Sequence, residues 1–198
     1  MRALCGELQK NPAYADTLTP AYVETLAGSV PMYDMGTVGI PDRILLKPGR
    51  LTPDEIAIMR THTTLGHDAL VRAEKTLGRA SPLLTVAKEL ALCHQEKWDG
   101  SGYPQALQGD AIPLSARLMA VADVYDALIS RRVYKAAMPH EQAVQIIQQG
   151  RGQHFDPDIA DAFVALQVQF QSIAGRFSDS DEDIAQKKLL MDKFLGDR

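Results

Sequence analysis

Apolar positions recur three and four residues apart along most of this chain, and proline or glycine interrupts them at intervals. Leu4 and Leu8 share one face of a helix within residues 1–10. Thr19 followed by Pro20 is a cap and first-position pair, opening a helix through Tyr22, Val23 and Leu26 towards Met32, Tyr33 and Asp34. Gly36 to Asp42 breaks that pattern, and Lys47-Pro48-Gly49 makes a second turn. Thr52-Pro53-Asp54-Glu55 repeats the start device, with acids where the helix dipole favours them. The helix that follows has Ile56, Met59, Thr63 and Leu70 on its buried side and contains His62 and Gly66. Ser81-Pro82 opens a helix to His94, Pro113 precedes an apolar helix from Leu114 to Ile129, Pro139 opens one to Gln149, and Asp156-Pro157 opens one to about Ser172. Asp179 to Asp183 reads as an acidic linker before an amphipathic helix from Ile184 to Leu195. No alternation of period two is long enough for a strand. The chain reads as all-α, a bundle of about seven helices.

The stretch from His94 to Pro104 stands apart. A helix ends there in a histidine and an acid, Glu96, and runs into a turn stiffened by Gly100, Gly102 and Pro104. The only tryptophan, Trp98, lies in that turn, where it pins the loop to the body.

Composition narrows the class. With 198 residues the chain is one domain, or one with an appendage, and it needs no disulfide staples. A net charge of -4 gives no basic footprint, which argues against a DNA or RNA binder. Cys5 and Cys93 suggest no disulfide framework and fit a reducing cytoplasm. The N-terminus lacks the apolar run of a signal peptide, and no segment approaches the ~20 apolar residues of a membrane span. The expected location is the cytoplasm.

Asp34, His62, His94 and Asp123 are the residues with chemistry to offer. Mixed carboxylate and imidazole ligands suit Fe, Mn, Zn or Mg. Each also has a structural reading: a helix histidine is often half-exposed packing, and Asp123, amid apolar neighbours, could serve a salt bridge. Asp126 shares its helix face. Arg131, Arg132 and Lys135 would bind phosphate oxygens beside a metal, or merely satisfy a helix C-terminus.

Four stretches together resemble the HD-GYP family, bacterial metal-dependent phosphodiesterases of the HD superfamily. They are Tyr33 to Asp42, Met59 to Gly66, His94 to Pro104 with its Gly102-Tyr103-Pro104 motif, and Ala122 to Leu128; Lys47-Pro48-Gly49 and His154-Phe155-Asp156-Pro157 add to the match. The resemblance runs from about residue 3 to about residue 175. It implies an HD-type helical fold over residues 1–175, with residues 176–198 as the linker and terminal helix. It also implies two or three metals, often iron or manganese, and cyclic di-GMP as substrate, hydrolysed to pGpG and on to GMP. Carried over, Asp34 is the catalytic carboxylate bridging metals, His62 and His94 ligate one ion, and Asp123 the other. Arg132 and Lys135 fall where substrate phosphates are held, Tyr103 lines the pocket, and the Gly102-Tyr103-Pro104 loop is where a GGDEF-domain partner would meet it.

The departures fall on the chemistry. Tyr33 stands where the family has the histidine of its His-Asp pair, Thr37 where it has a lysine, and Gln95 where it has a second histidine. A further ligand histidine of the family would fall upstream of Met1, so the first helix reads as truncated, and a longer product with an upstream receiver domain is one reading. At most one weakly bound Fe or Mn ion is expected, or none. The expectation is therefore an inactive or strongly impaired phosphodiesterase acting by binding nucleotide or a partner. The alternative is an active enzyme.

Overall fold

Proline-led starts set the helices. The computed structural model describes residues 1–130 and 138–176, and apart from one isolated bridge between Arg151 and Phe155 their regular structure is helical. In chain order the α-helices are α1 (Arg2–Leu8), α2 (Pro12–Ala15), α3 (Pro20–Ser29), α4 (Asp42–Leu45), α5 (Pro53–Arg60), α6 (His62–Leu77), α7 (Pro82–Cys93), α8 (Leu114–Ile129), α9 (His140–Gln149), α10 (Pro157–Ala165) and α11 (Gln167–Arg176). Three 3-10 turns, Val30–Met32, Met35–Gly39 and Gly109–Ala111, connect them. Thr19 accepts from the Tyr22 amide, Thr52 and Glu55 form a reciprocal capping box, and Asp156 accepts from the Asp158 amide.

The all-α expectation is met, with more segments than the seven predicted. The helix expected to run on from Pro53 divides at Thr61, which ends α5 and begins α6. The helix from Pro157 divides at Leu166. Periodicity alone does not see such divisions, because the residues on either side keep helical spacing and no proline or glycine marks the break. The division at Thr61 also corrects the predicted face. Thr63 and Leu70 on α6 are buried, whereas Ile56 on α5 is exposed. The expected linker and helix after Asp179, with Arg131, Arg132 and Lys135, lie outside the described residues.

One core organises the bundle around α8. Its Leu118, Val121 and Tyr125 pack with Leu4 and Leu8 of α1, Leu90 of α7, Ile147 of α9 and Phe163 of α10. A smaller cluster, Leu70, Leu84, Ala87 and Ala91, joins α6 to α7. Small residues let a second layer close over that seam. A Cβ at Gly36 would fall on the His62 carbonyl, and one at Gly66 would stand 3.2 Å from the Gly36 amide nitrogen. The turn Met35–Gly39 therefore lies directly on the first turns of α6. Both cysteines are free and buried.

Candidate metal centre

Three elements converge where that turn, the start of α6 and the end of α7 meet. They bring Asp34, His62 and His94 together, with one ligand atom from each lying within 4.8 Å of the others. Backbone carbonyls fix the two imidazoles. His62 Nδ1 is 2.7 Å from the Met59 carbonyl oxygen and His94 Nδ1 is 2.9 Å from that of Leu90. A carbonyl only accepts, so each Nδ1 donates, and in each neutral ring the proton is used there. Both Nε2 atoms then present bare lone pairs, and they face each other at 3.2 Å.

Two lone pairs at that distance repel unless a cation lies between them. The cation is a proton or a metal ion. Burial, and the neighbouring His62, hold the His94 imidazole below its usual range, which keeps its Nε2 lone pair available to a metal ion. Asp34 Oδ1 is 3.6 Å from His62 Nε2. Ligands bound at ~2.1 Å to one ion stand roughly 3.0–3.4 Å apart, so the 3.2 Å between the two imidazoles fits a single ion directly, and Asp34 would draw in towards it. Carbonyl-anchored Nδ1–H groups are also the usual support for histidines that ligate through Nε2. The residues present fit a metal.

Asp123 takes a different position. It lies outside the three-residue group, and its Oδ1 accepts a 2.8 Å hydrogen bond from the Tyr33 hydroxyl. The Tyr33 ring meets His94 edge-on, with centroids 5.1 Å apart. Burial first, and then the Asp123 charge, push the Tyr33 phenol well above its usual range. It is therefore a neutral donor. The tyrosine packs beside His94 and donates to one oxygen of the carboxylate that the resemblance assigns to a second ion.

Thr37 is used locally, its hydroxyl donating to the Asp34 carbonyl at 2.8 Å. The Gln95 carbonyl accepts from the Tyr103 amide at 3.2 Å. Arg132 and Lys135 belong to the segment not described.

The loop after α7 is built on Glu96. This carboxylate is 2 % exposed and accepts from the amides of Gln105 at 2.7 Å and Leu107 at 3.0 Å. Gly102 is required by close approach, since a Cβ would collide with the backbone of Glu96 and Lys97. The Tyr103-Pro104 peptide is cis. At Trp98 the main chain ties the loop down, its amide donating to the His154 carbonyl and its carbonyl accepting from the Gly109 amide, while the half-buried ring lies under Arg117 at 5.6 Å. Tyr103 is thereby held with its ring 6.3 Å from that of His62. The Arg60 guanidinium carbon lies 4.9 Å over the Tyr103 ring.

Sequence reading missed Arg60 and the role of Glu96. Arg60 carries no local signal beyond standing two residues before His62. Glu96 carried one: an acid at a helix end, followed by a glycine-rich loop whose amides need acceptors.

A sequence model described as HD domain matches residues 2–159. A "Probable cyclic di-GMP phosphodiesterase" of Vibrio cholerae is 55% identical over 181 residues, 91% of this chain and 41% of that protein. A "Cyclic di-GMP phosphodiesterase" of the same organism is 54% identical over 180 residues, covering 91% and 36%. The chain thus spans about two fifths of the length of these relatives. A crystal structure of a cyclic GMP-AMP specific phosphodiesterase of Vibrio cholerae superposes with a TM-score of 0.55 at 20% identity, over 94% of this chain and 47% of that one, a likeness of fold. No helix among the described residues is long and apolar enough to cross a membrane. The motifs, the helical scaffold and the family match agree: the chain belongs to the HD domain family, and within it to the HD-GYP group.

Proposed function

We propose that residues 1–175 form a cyclic di-GMP-directed domain of phosphodiesterase type that works from one metal ion, and that it binds the dinucleotide while hydrolysing it only feebly. Asp34, His62 and His94 hold that ion, and two imidazoles with one carboxylate suit Fe²⁺ or Mn²⁺. The observation that carries this reading is that Tyr33 spends its hydroxyl on Asp123 Oδ1, where an imidazole would offer a second ion a lone pair. Bound there, one ion would supply Lewis acidity towards a phosphoryl oxygen. What is missing is the clamp on both attacking and leaving oxygens that a metal pair supplies. Such an electrostatic contact is worth about 3 kcal/mol, roughly two powers of ten in rate. The Gly102-Tyr103-Pro104 loop, rigid on Glu96, is the surface for a GGDEF-domain partner.

A second reading is a working phosphodiesterase that yields pGpG and GMP. The names of the relatives favour it, as does the intact Asp34, His62 and His94 group. Elemental analysis after Mn²⁺ or Fe²⁺ loading, followed by chromatography of cyclic di-GMP reactions, separates the two. One ion per chain with binding but only trace product supports the first reading. Two ions per chain, or multiple turnovers within minutes, establishes the second.

A further inference from the structure

The turn that supplies His62 also supplies a cation. Met59, Arg60 and His62 are nearly consecutive: the Met59 carbonyl fixes the imidazole, and Arg60, the last residue of α5, lays its guanidinium over Tyr103. Tyr103 in turn meets His62 edge-on, its ring plane at 83° to the imidazole. Arg60, Asp34 and Asp123 all act electrostatically on the Tyr103 hydroxyl, so the cation and the two carboxylates stand around one ring.

Charge balance gives the cation a task. A divalent ion with Asp34 and Asp123 ionised leaves the centre close to neutral, and Asp126 adds negative charge near Tyr33. Among the described residues, a phosphodiester anion approaching the centre gains little long-range attraction from an ion so balanced. A guanidinium stacked on an aromatic face keeps its N–H edge directed outwards in its own plane, where it can meet two phosphate oxygens at once. Arg60 is exposed, so it is reachable from solvent.

We infer that Arg60, lying over the Tyr103 ring beside His62, is a residue that receives the phosphoryl oxygens of a phosphodiester ligand at the metal centre. This rests on the functional reading above and adds a ligand-binding residue to it. Tyr103 acts as the platform that orients the guanidinium.

The test measures binding of cyclic di-GMP and of inorganic phosphate to the Mn²⁺-loaded chain by calorimetry, for wild type, Arg60→Lys and Arg60→Ala. Mn²⁺ uptake and melting temperature are recorded for each. Loss of one charge-assisted contact predicts roughly ten- to hundredfold weaker cyclic di-GMP binding in Arg60→Ala. Arg60→Lys should recover part of that loss, because it keeps the charge and loses the fork. Mn²⁺ uptake should be the same in all three. Wild-type affinity should fall with added salt more steeply than that of Arg60→Ala. Undiminished binding by Arg60→Ala with an unchanged salt response overturns the role of Arg60 while leaving the metal centre standing. Failure of wild type to bind either ligand despite taking up Mn²⁺ overturns both this inference and the functional reading.

Discussion

At the scale of single residues, the decisive contact joins Tyr33 to Asp123. A phenol is a good hydrogen-bond donor and, with its ionisation pushed upwards by burial and a neighbouring carboxylate, a poor metal ligand. An imidazole at the same position would bring a lone pair instead. Tyr33→His combined with Gln95→His should therefore raise bound Mn²⁺ above one ion per chain, as read by elemental analysis; unchanged stoichiometry would mean that Asp123 is no ligand position. Tyr33→Phe leaves the partly buried carboxylate without its donor and should cost about 1–3 kcal/mol in chemical denaturation.

Elements matter because each proposed ligand arrives on a different one. His62 opens α6, His94 ends α7, and Asp34 precedes the Met35–Gly39 turn. Their alignment depends on how closely that turn lies on α6. Gly36→Ala would force a methyl group onto the His62 carbonyl, so the turn must lift away and carry Asp34 with it. We expect a loss of roughly 3 kcal/mol or more in stability, together with loss of tight Mn²⁺ binding. The loop after α7 depends in the same way on Glu96. Glu96→Gln keeps one acceptor oxygen for two amides and introduces a donor, so limited proteolysis should cut within residues 99–108 faster than in wild type.

For the whole molecule, buried imidazoles link stability to pH. Burial lowers the proton affinity of both His94 and His154 from the ordinary value of about 6.5. The unfolded chain then takes up protons before the folded one does. The stability of the metal-free protein should be fully present above about pH 6.5 and should fall as pH drops through the folded values. Melting curves between pH 7.5 and 5 test this, and His154→Gln should flatten part of the decline. A curve that rises towards acid would reverse the assignment. Mn²⁺ should raise the melting temperature in a concentration-dependent way that is lost in Asp34→Asn.

The sequence by itself determined the helical class, the helix starts at Thr19-Pro20, Thr52-Pro53 and Asp156-Pro157, and the chemical identity of Asp34, His62, His94 and Asp123. It did so because caps, proline starts and the 3.6-residue stripe are local properties, written within a turn or two. Only the tertiary structure decided which of the four gather. Asp34, His62 and His94 come from separate elements, and Asp123 turns to Tyr33, 90 positions away in the chain. The division at Thr61 likewise carried no local mark, yet it aims His62 inwards and leaves Arg60 over Tyr103. Distances between side chains on different helices are set by how closely glycines such as Gly36 and Gly66 let the backbones approach, and a linear pattern does not encode that separation.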